Sequence, residues 1–248
     1  MTAAEPSLNG RRRAPCTVCG RPPHRAYRRS YHGEVTCASH PVAAVCTFCT
    51  RPTDVLGEGW LPLGPGVLRC PRCRVGAIDR HEDARRALPA VRRQLDAIGF
   101  ALRRRVRVHL VDDAALRAMF PEIGPAPFGV TRIALAGTAP REVLDVSVLA
   151  GLPDVWFGRV VAHENMHAWM VEQQIEPTTV AVAEGLCELA AYGWLKGSGS
   201  ALAEPLRSGI CLARDPTYGD GFRQVQAAVR AHSLATVIDH LRRTSTLP

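Results

Sequence analysis

The chain has 248 residues, 46% of them hydrophobic, enough for one large domain or two small ones around a real core. Its net charge of +8 is uneven: residues 1–80 hold 12 arginines against 5 acids (+7), residues 81–107 hold 8 against 3 (+5), and residues 108–248 hold 11 bases against 15 acids (−4). No run of about 18 apolar residues exists and no apolar stretch follows the first charges, so neither a transmembrane helix nor a secretory leader is expected, and a cytoplasmic protein is.

In chain order, residues 1–14 read as a disordered basic tail ending at Arg11-Arg12-Arg13. Residues 15–80 hold seven of the nine cysteines, with many Pro and Gly and little periodicity. Such a segment buries little core and needs a metal to hold it. Glu82 to Ile98 places Ala84, Leu88, Val91, Leu95 and Ile98 at helical spacing, with a stop at Gly99 and a possible bend at Pro89. Val106, Val108 and Leu110 alternate as in a strand, and Asp112–Phe120 reads as a short helix. Gly129–Ala136 and Val143–Leu149 read as two more strands joined through residues 137–140. Helices are predicted from Pro153 to Gln174 and from Pro177 to Lys196, with one or two more between Gly221 and Arg243. Strands followed by helices make the 81–248 region an α+β domain.

The cysteines fall into two sets. Cys16-x-x-Cys19 pairs with Cys37-x-x-His40, and Cys46-x-x-Cys49 pairs with Cys70-x-x-Cys73. Four soft or borderline donors on two-residue knuckles suit a closed, structural, tetrahedral zinc site, so two structural zinc ions are expected. His24 or His32 could compete with His40 in the first set. The layout resembles a LIM domain, although five residues separate His40 from Cys46 where LIM has two. The basic half could meet a protein partner or, less readily, nucleic acid; an ordinary arginine-rich surface is the simpler reading and is preferred.

His163-Glu164-Asn165-Met166-His167 is an HExxH motif. On a helix, residues four apart share a face, so both imidazoles can grip one ion while Glu164 acts as general base on a zinc-activated water. Glu184-Gly185-Leu186-Cys187-Glu188 follows 17 residues after His167, and its two acids share a face of the next helix. Cys187 and Cys211 read as small core residues, with a thiol inhibitory switch as the lesser alternative. Val143–Leu149 could be a sheet edge that takes substrate as an added strand, or a central core strand.

The stretch VLAGLP at 148–153, then GRVVAHENMHAW, AEGLCELAAYGWL, YGDGFRQVQAAV and LATVIDHLRRTSTLP, resembles the DA-one peptidase family of plants, zinc metallopeptidases with a LIM domain ahead of the catalytic domain. The resemblance spans roughly residues 130–248. It implies a gluzincin-like fold and an endopeptidase acting on proteins or peptides; the lack of a long apolar run already argues against a membrane partner. His163, His167 and Glu184 would then hold a catalytic zinc, with Glu164 as base and Glu188 orienting a histidine. Tyr192, Tyr218, His232 and His240 are candidate oxyanion donors, of which Tyr218 and His240 lie in matching stretches. No ubiquitin-interacting segment is seen ahead of the cysteine module. The competing reading is a zinc-bearing binding protein whose basic module contacts nucleic acid or a partner.

Overall fold

A computed structural model describes residues 14–23, 26–54, 56–120, 127–134 and 141–248. The expected tail, apart from Ala14, the connection at 137–140, and His24 lie outside the described residues. The chain divides into two compact units, Met1–Gly76 and Ala77–Pro248.

The first unit is three small antiparallel hairpins. β1 (Tyr27–Arg29) pairs with β2 (Val35–Cys37), β3 (Ala44–Val45) with β4 (Pro52–Thr53), and β5 (Leu61–Gly64) with β6 (Val67–Arg69); the short helix α1 (Pro71–Arg74) follows. These strands are two to four residues long, too short for an alternating pattern to show in the sequence. Cysteine is the commonest residue of its interior: Cys16, Cys37, Cys46, Cys49, Cys70 and Cys73 are buried, as are Phe48, Val35 and Val67.

The second unit is α+β. Its sheet has three strands in the order β7-β9-β8: β7 (Val108–Val111) runs parallel to β9 (Glu142–Leu149), and β8 (Gly129–Ala134) runs antiparallel to it. β9 is therefore the central strand, with five of its last residues buried in a row, and the edge reading of Val143–Leu149 is corrected. β8 and β7 are the outer strands.

The helices are α2 (His81–Ala97), α3 (Asp113–Met119), α4 (Asp154–Glu172), α5 (Val180–Gly197), α6 (Ala203–Leu212), α7 (Gly219–His232) and α8 (Leu234–Thr244). α2 buries Ala84, Leu88, Val91 and Leu95 and continues through Pro89. α4 begins directly after Pro153, whose fixed φ suits a helix start. α5 begins at Val180 rather than near Pro177, because the Thr179 side chain accepts a hydrogen bond from the Val182 N–H at 3.3 Å. α7 and α8 are separated at Ser233, which has φ +72° and caps α8 by accepting from the Thr236 N–H.

α4 is apolar almost all round, burying Phe157, Val161, Met166 and Ala168 among others, so it runs through the middle of the unit. α5 crosses it closely: a Cβ on Gly158 would overlap the Trp194 ring. α7 crosses α5 equally closely, since a Cβ on Gly185 would overlap the Gly221 carbonyl and one on Gly221 the Ala181 carbonyl. These contacts set the three helices that carry the site.

Candidate metal centre and active site

His163 and His167 lie one turn apart on α4, with ring centroids 5.3 Å apart. Glu184 on α5 faces both: its Oε2 is 3.1 Å from His163 Nε2 and its Oε1 is 3.6 Å from His167 Nε2. Behind His163, Nδ1 is 3.2 Å from Glu188 Oε1, and Glu188 in turn accepts from Arg159 Nη2 at 3.2 Å through both oxygens.

This chain of contacts decides what the cluster can hold. Glu188 is an acceptor, so the neutral His163 ring carries its proton on Nδ1 and its lone pair on Nε2. That lone pair faces Glu184 Oε2, a buried oxygen with no hydrogen-bond donor. Two lone pairs 3.1 Å apart repel unless a cation lies between them. A proton can do this: burial works against charge on His163, but Glu184 and Glu188 outweigh it and push its pKa up to about 10. A metal ion can do it too, and two imidazoles with a carboxylate are a donor set that fits zinc.

The same contacts order the acids. Burial would raise the Glu188 carboxyl, yet Arg159 and His163 hold it down to about 2. Burial would also raise Glu184, and His163 and His167 outweigh it to keep it ionised. Among the described residues no carboxylate pairs with the other ring nitrogen of His167, and burial lowers its pKa, which leaves it neutral and able to donate a lone pair. Cys187 joins the group: its Sγ and the ligand atoms of His163, His167 and Glu184 all lie within 4.8 Å of one another. Burial, with Glu184, Glu164 and Glu188 nearby, raises its thiol pKa. Cys187 is fully buried, as a core residue would be, but its sulfur faces the cluster. Cys211 is half-buried at the end of α6.

Glu164 is buried where β8 passes over α4. Thr131 Oγ1 lies 2.7 Å from Glu164 Oε2 and 3.0 Å from the Glu164 carbonyl oxygen, so its one proton serves either. Gly129 permits this approach: a Cβ there would come within 2.8 Å of Glu164 Oε1.

Of the candidate donors, Tyr218 reaches the site. It precedes α7, its N–H donates to Asp215 Oδ1, and its ring centroid is 6.1 Å from that of His163. Burial, then Glu184 and Glu164, pushes its phenol up to about 12, so it is a hydrogen-bond donor at neutral pH. Tyr192 instead stacks on Phe222 under Arg207. His232 is exposed at the end of α7, and His240 is half-buried on α8; neither joins the contacts around His163.

In the first unit the ligand atoms of Cys16, Cys19, Cys37 and His40 gather in one group, and those of Cys46, Cys49, Cys70 and Cys73 in another. All nine cysteines are free, and Cys49 Sγ and Cys70 Sγ are 3.6 Å apart, well beyond a disulfide's ~2.05 Å. Backbone N–H groups point at the sulfurs: Val18 and Cys37 donate to Cys16 Sγ, and Cys70 donates to Cys46 Sγ, each at 3.4 Å. Burial opposes ionisation of Cys16, but these donors and that of Cys19 bring its thiol down to about 6. His40 Nε2 is buried without a hydrogen-bond partner, as a ligand nitrogen would be. His32 Nε2 is 3.4 Å from Cys73 Sγ, so it faces the second group and does not compete with His40 for the first.

Residues 130–205 match the family model DA1-like, described as Protein DA1. Over that stretch the chain is similar to the DA1-like family. Protein DA1 of Arabidopsis thaliana is 30% identical over 139 residues, covering 45% of this chain and 26% of that protein. Protein DA1-related 1 of the same plant is 32% identical over 138 residues, 43% of this chain and 25% of that protein. LIM domain-containing protein HDR3 of Oryza sativa subsp. japonica is 27% identical over 143 residues, 43% of this chain and 26% of that protein. The chain thus spans about a quarter of the length of these relatives. No solved structure matches it.

The DA1-like match covers Thr131, Arg159, His163, Glu164, His167, Glu184, Cys187 and Glu188, whereas Tyr218 and His240 fall beyond it. Sequence reasoning missed Arg159 and Thr131. Arg159 is four residues before His163, a spacing that places it one turn away on the same face. Thr131 gives no signal, because only the folding of β8 onto α4 brings it to Glu164.

Proposed function

We propose that the chain is a zinc-dependent endopeptidase of gluzincin type that cleaves protein or peptide substrates, with its two Cys/His groups forming a LIM-like structural zinc module that binds substrate or a protein partner. The observation that carries this reading is the lone-pair side of His163. Glu188 fixes its tautomer, so Nε2 must share a cation with Glu184, and the HExxH acid Glu164 lies alongside.

A zinc ion there would polarise the scissile carbonyl and lower the pKa of a water toward neutral. With zinc held by His163, His167 and Glu184, Glu164 would serve as the general base and would return the proton to the leaving amine. Thr131 holds the Glu164 carboxylate in place for this transfer. Tyr218 remains protonated and donates a hydrogen bond to the oxyanion that develops on the carbonyl. The outer strand β8, next to Glu164, gives an edge on which an extended substrate can add as a strand.

The test is Glu164→Gln in the full chain, assayed on unfolded casein or a peptide library. Zinc content and fold should match wild type while cleavage falls by at least about two orders of magnitude. Undiminished cleavage in the zinc-loaded variant would refute the assignment.

A further inference from the structure

We infer that Cys187 is a fourth donor to the ion at His163, His167 and Glu184, closing the centre in the resting protein. The inference rests on the metal reading above and concerns how that site is kept shut.

Three observations lead there. The Cys187 Sγ stands within 4.8 Å of the three other donor atoms, a spread that small side-chain shifts can bring to bonding range. Glu184 and Cys187 are three residues apart on α5, so one helix face presents a carboxylate and a sulfur to the two imidazoles of α4. The sulfur is fully enclosed and free of any disulfide.

A nitrogen, oxygen and sulfur set of four suits tetrahedral zinc. On closing, the metal–sulfur bond forms, the thiol S–H bond breaks, and its proton leaves to solvent with the displaced water. On opening, water returns, the metal–sulfur bond breaks, and the sulfur regains a proton. Protein with the sulfur bound would then be inactive.

The experiment is cadmium-113 NMR of the full chain loaded with the metal, comparing wild type, Cys187→Ala and His163→Ala. Alanine fits the buried position, so the fold should survive. The resonance absent from His163→Ala identifies the centre. In wild type it should lie downfield, where a single sulfur ligand places it, and in Cys187→Ala it should move upfield while the resonances of the cysteine module stay fixed. Zinc affinity at that site should fall at least about tenfold, and at saturating zinc peptide cleavage should rise. A wild-type resonance already in the nitrogen and oxygen range, unmoved in Cys187→Ala, overturns the inference and leaves the metal reading standing. If wild type has no resonance that His163→Ala removes, both fall.

Discussion

Replacing Glu188 with Gln separates two jobs that one carboxylate performs. Its side chain is 8% exposed, that of Arg159 is 22% exposed, and the two meet at 3.2 Å. Removing one partner of a fully buried pair costs about 3–5 kcal/mol. Partial exposure of Arg159 lets water replace some of what is lost, so we expect about 2 kcal/mol by denaturant unfolding of metal-free protein. The second job is to hold the proton on His163 Nδ1 and strengthen Nε2 as a donor. Losing such a support weakens metal binding by about 10–100-fold. Titration calorimetry measures this as the zinc binding that His163→Ala lacks. The double variant Arg159→Leu with Glu188→Gln removes the orphaned charge, so it should recover most of the stability but none of the zinc affinity. If Glu188→Gln bound zinc as wild type does, or if the double variant restored affinity, the role given to Glu188 would be wrong.

Two further outcomes follow from the site. Tyr218→Phe should lower kcat by about 100- to 1,000-fold with KM and zinc content little changed, because one donor to the transition-state oxyanion is lost; equal kcat would remove Tyr218 from the mechanism. Gly221→Ala should destabilise the fold by about 1–3 kcal/mol, since its new Cβ overlaps the Ala181 carbonyl and forces α7 away from α5. Because Tyr218 precedes α7, any folded Gly221→Ala protein should also lose kcat while keeping its zinc, which parallel unfolding and steady-state assays can check.

Much of the fold was legible where one helix face carries the pattern. The spacing of Ala84, Leu88, Val91 and Leu95 defines α2 to within a residue at each end. α6 escaped because Pro205 and Gly209 interrupt the signal from Leu206 and Ile210, although Pro205 falls in the first turn where a proline is tolerated. The hairpins of the cysteine unit escaped because strands of two to four residues are shorter than any period. The central place of β9 was open in the sequence, because strand order depends on which distant segments pair, and only the buried run toward Leu149 hints at it.

At the site, the HExxH spacing singled out His163 and His167 and the family resemblance singled out Glu184 and Glu188, and the structure brings all four side chains together. Helical geometry fixes which residues of α4 share a face and which of α5 do, and the crossing at Gly158 and Trp194 then brings the two faces together. What spacing cannot give is the direction of a side chain across elements. Thr131 on Glu164 and the Cys187 sulfur toward the imidazoles both depend on packing. His240 shows the converse: it lies in a stretch that resembles the plant family, yet α8 holds it apart from the cluster.

Zinc-edge anomalous diffraction from crystals of the full chain tests the central claim most directly. The account predicts a strong peak between α4 and α5, about 2.0–2.1 Å from Nε2 of both His163 and His167 and about 2.0–2.2 Å from a Glu184 carboxylate oxygen. Zinc peaks confined to the cysteine groups, with His163 Nε2 hydrogen-bonded directly to Glu184, would contradict it.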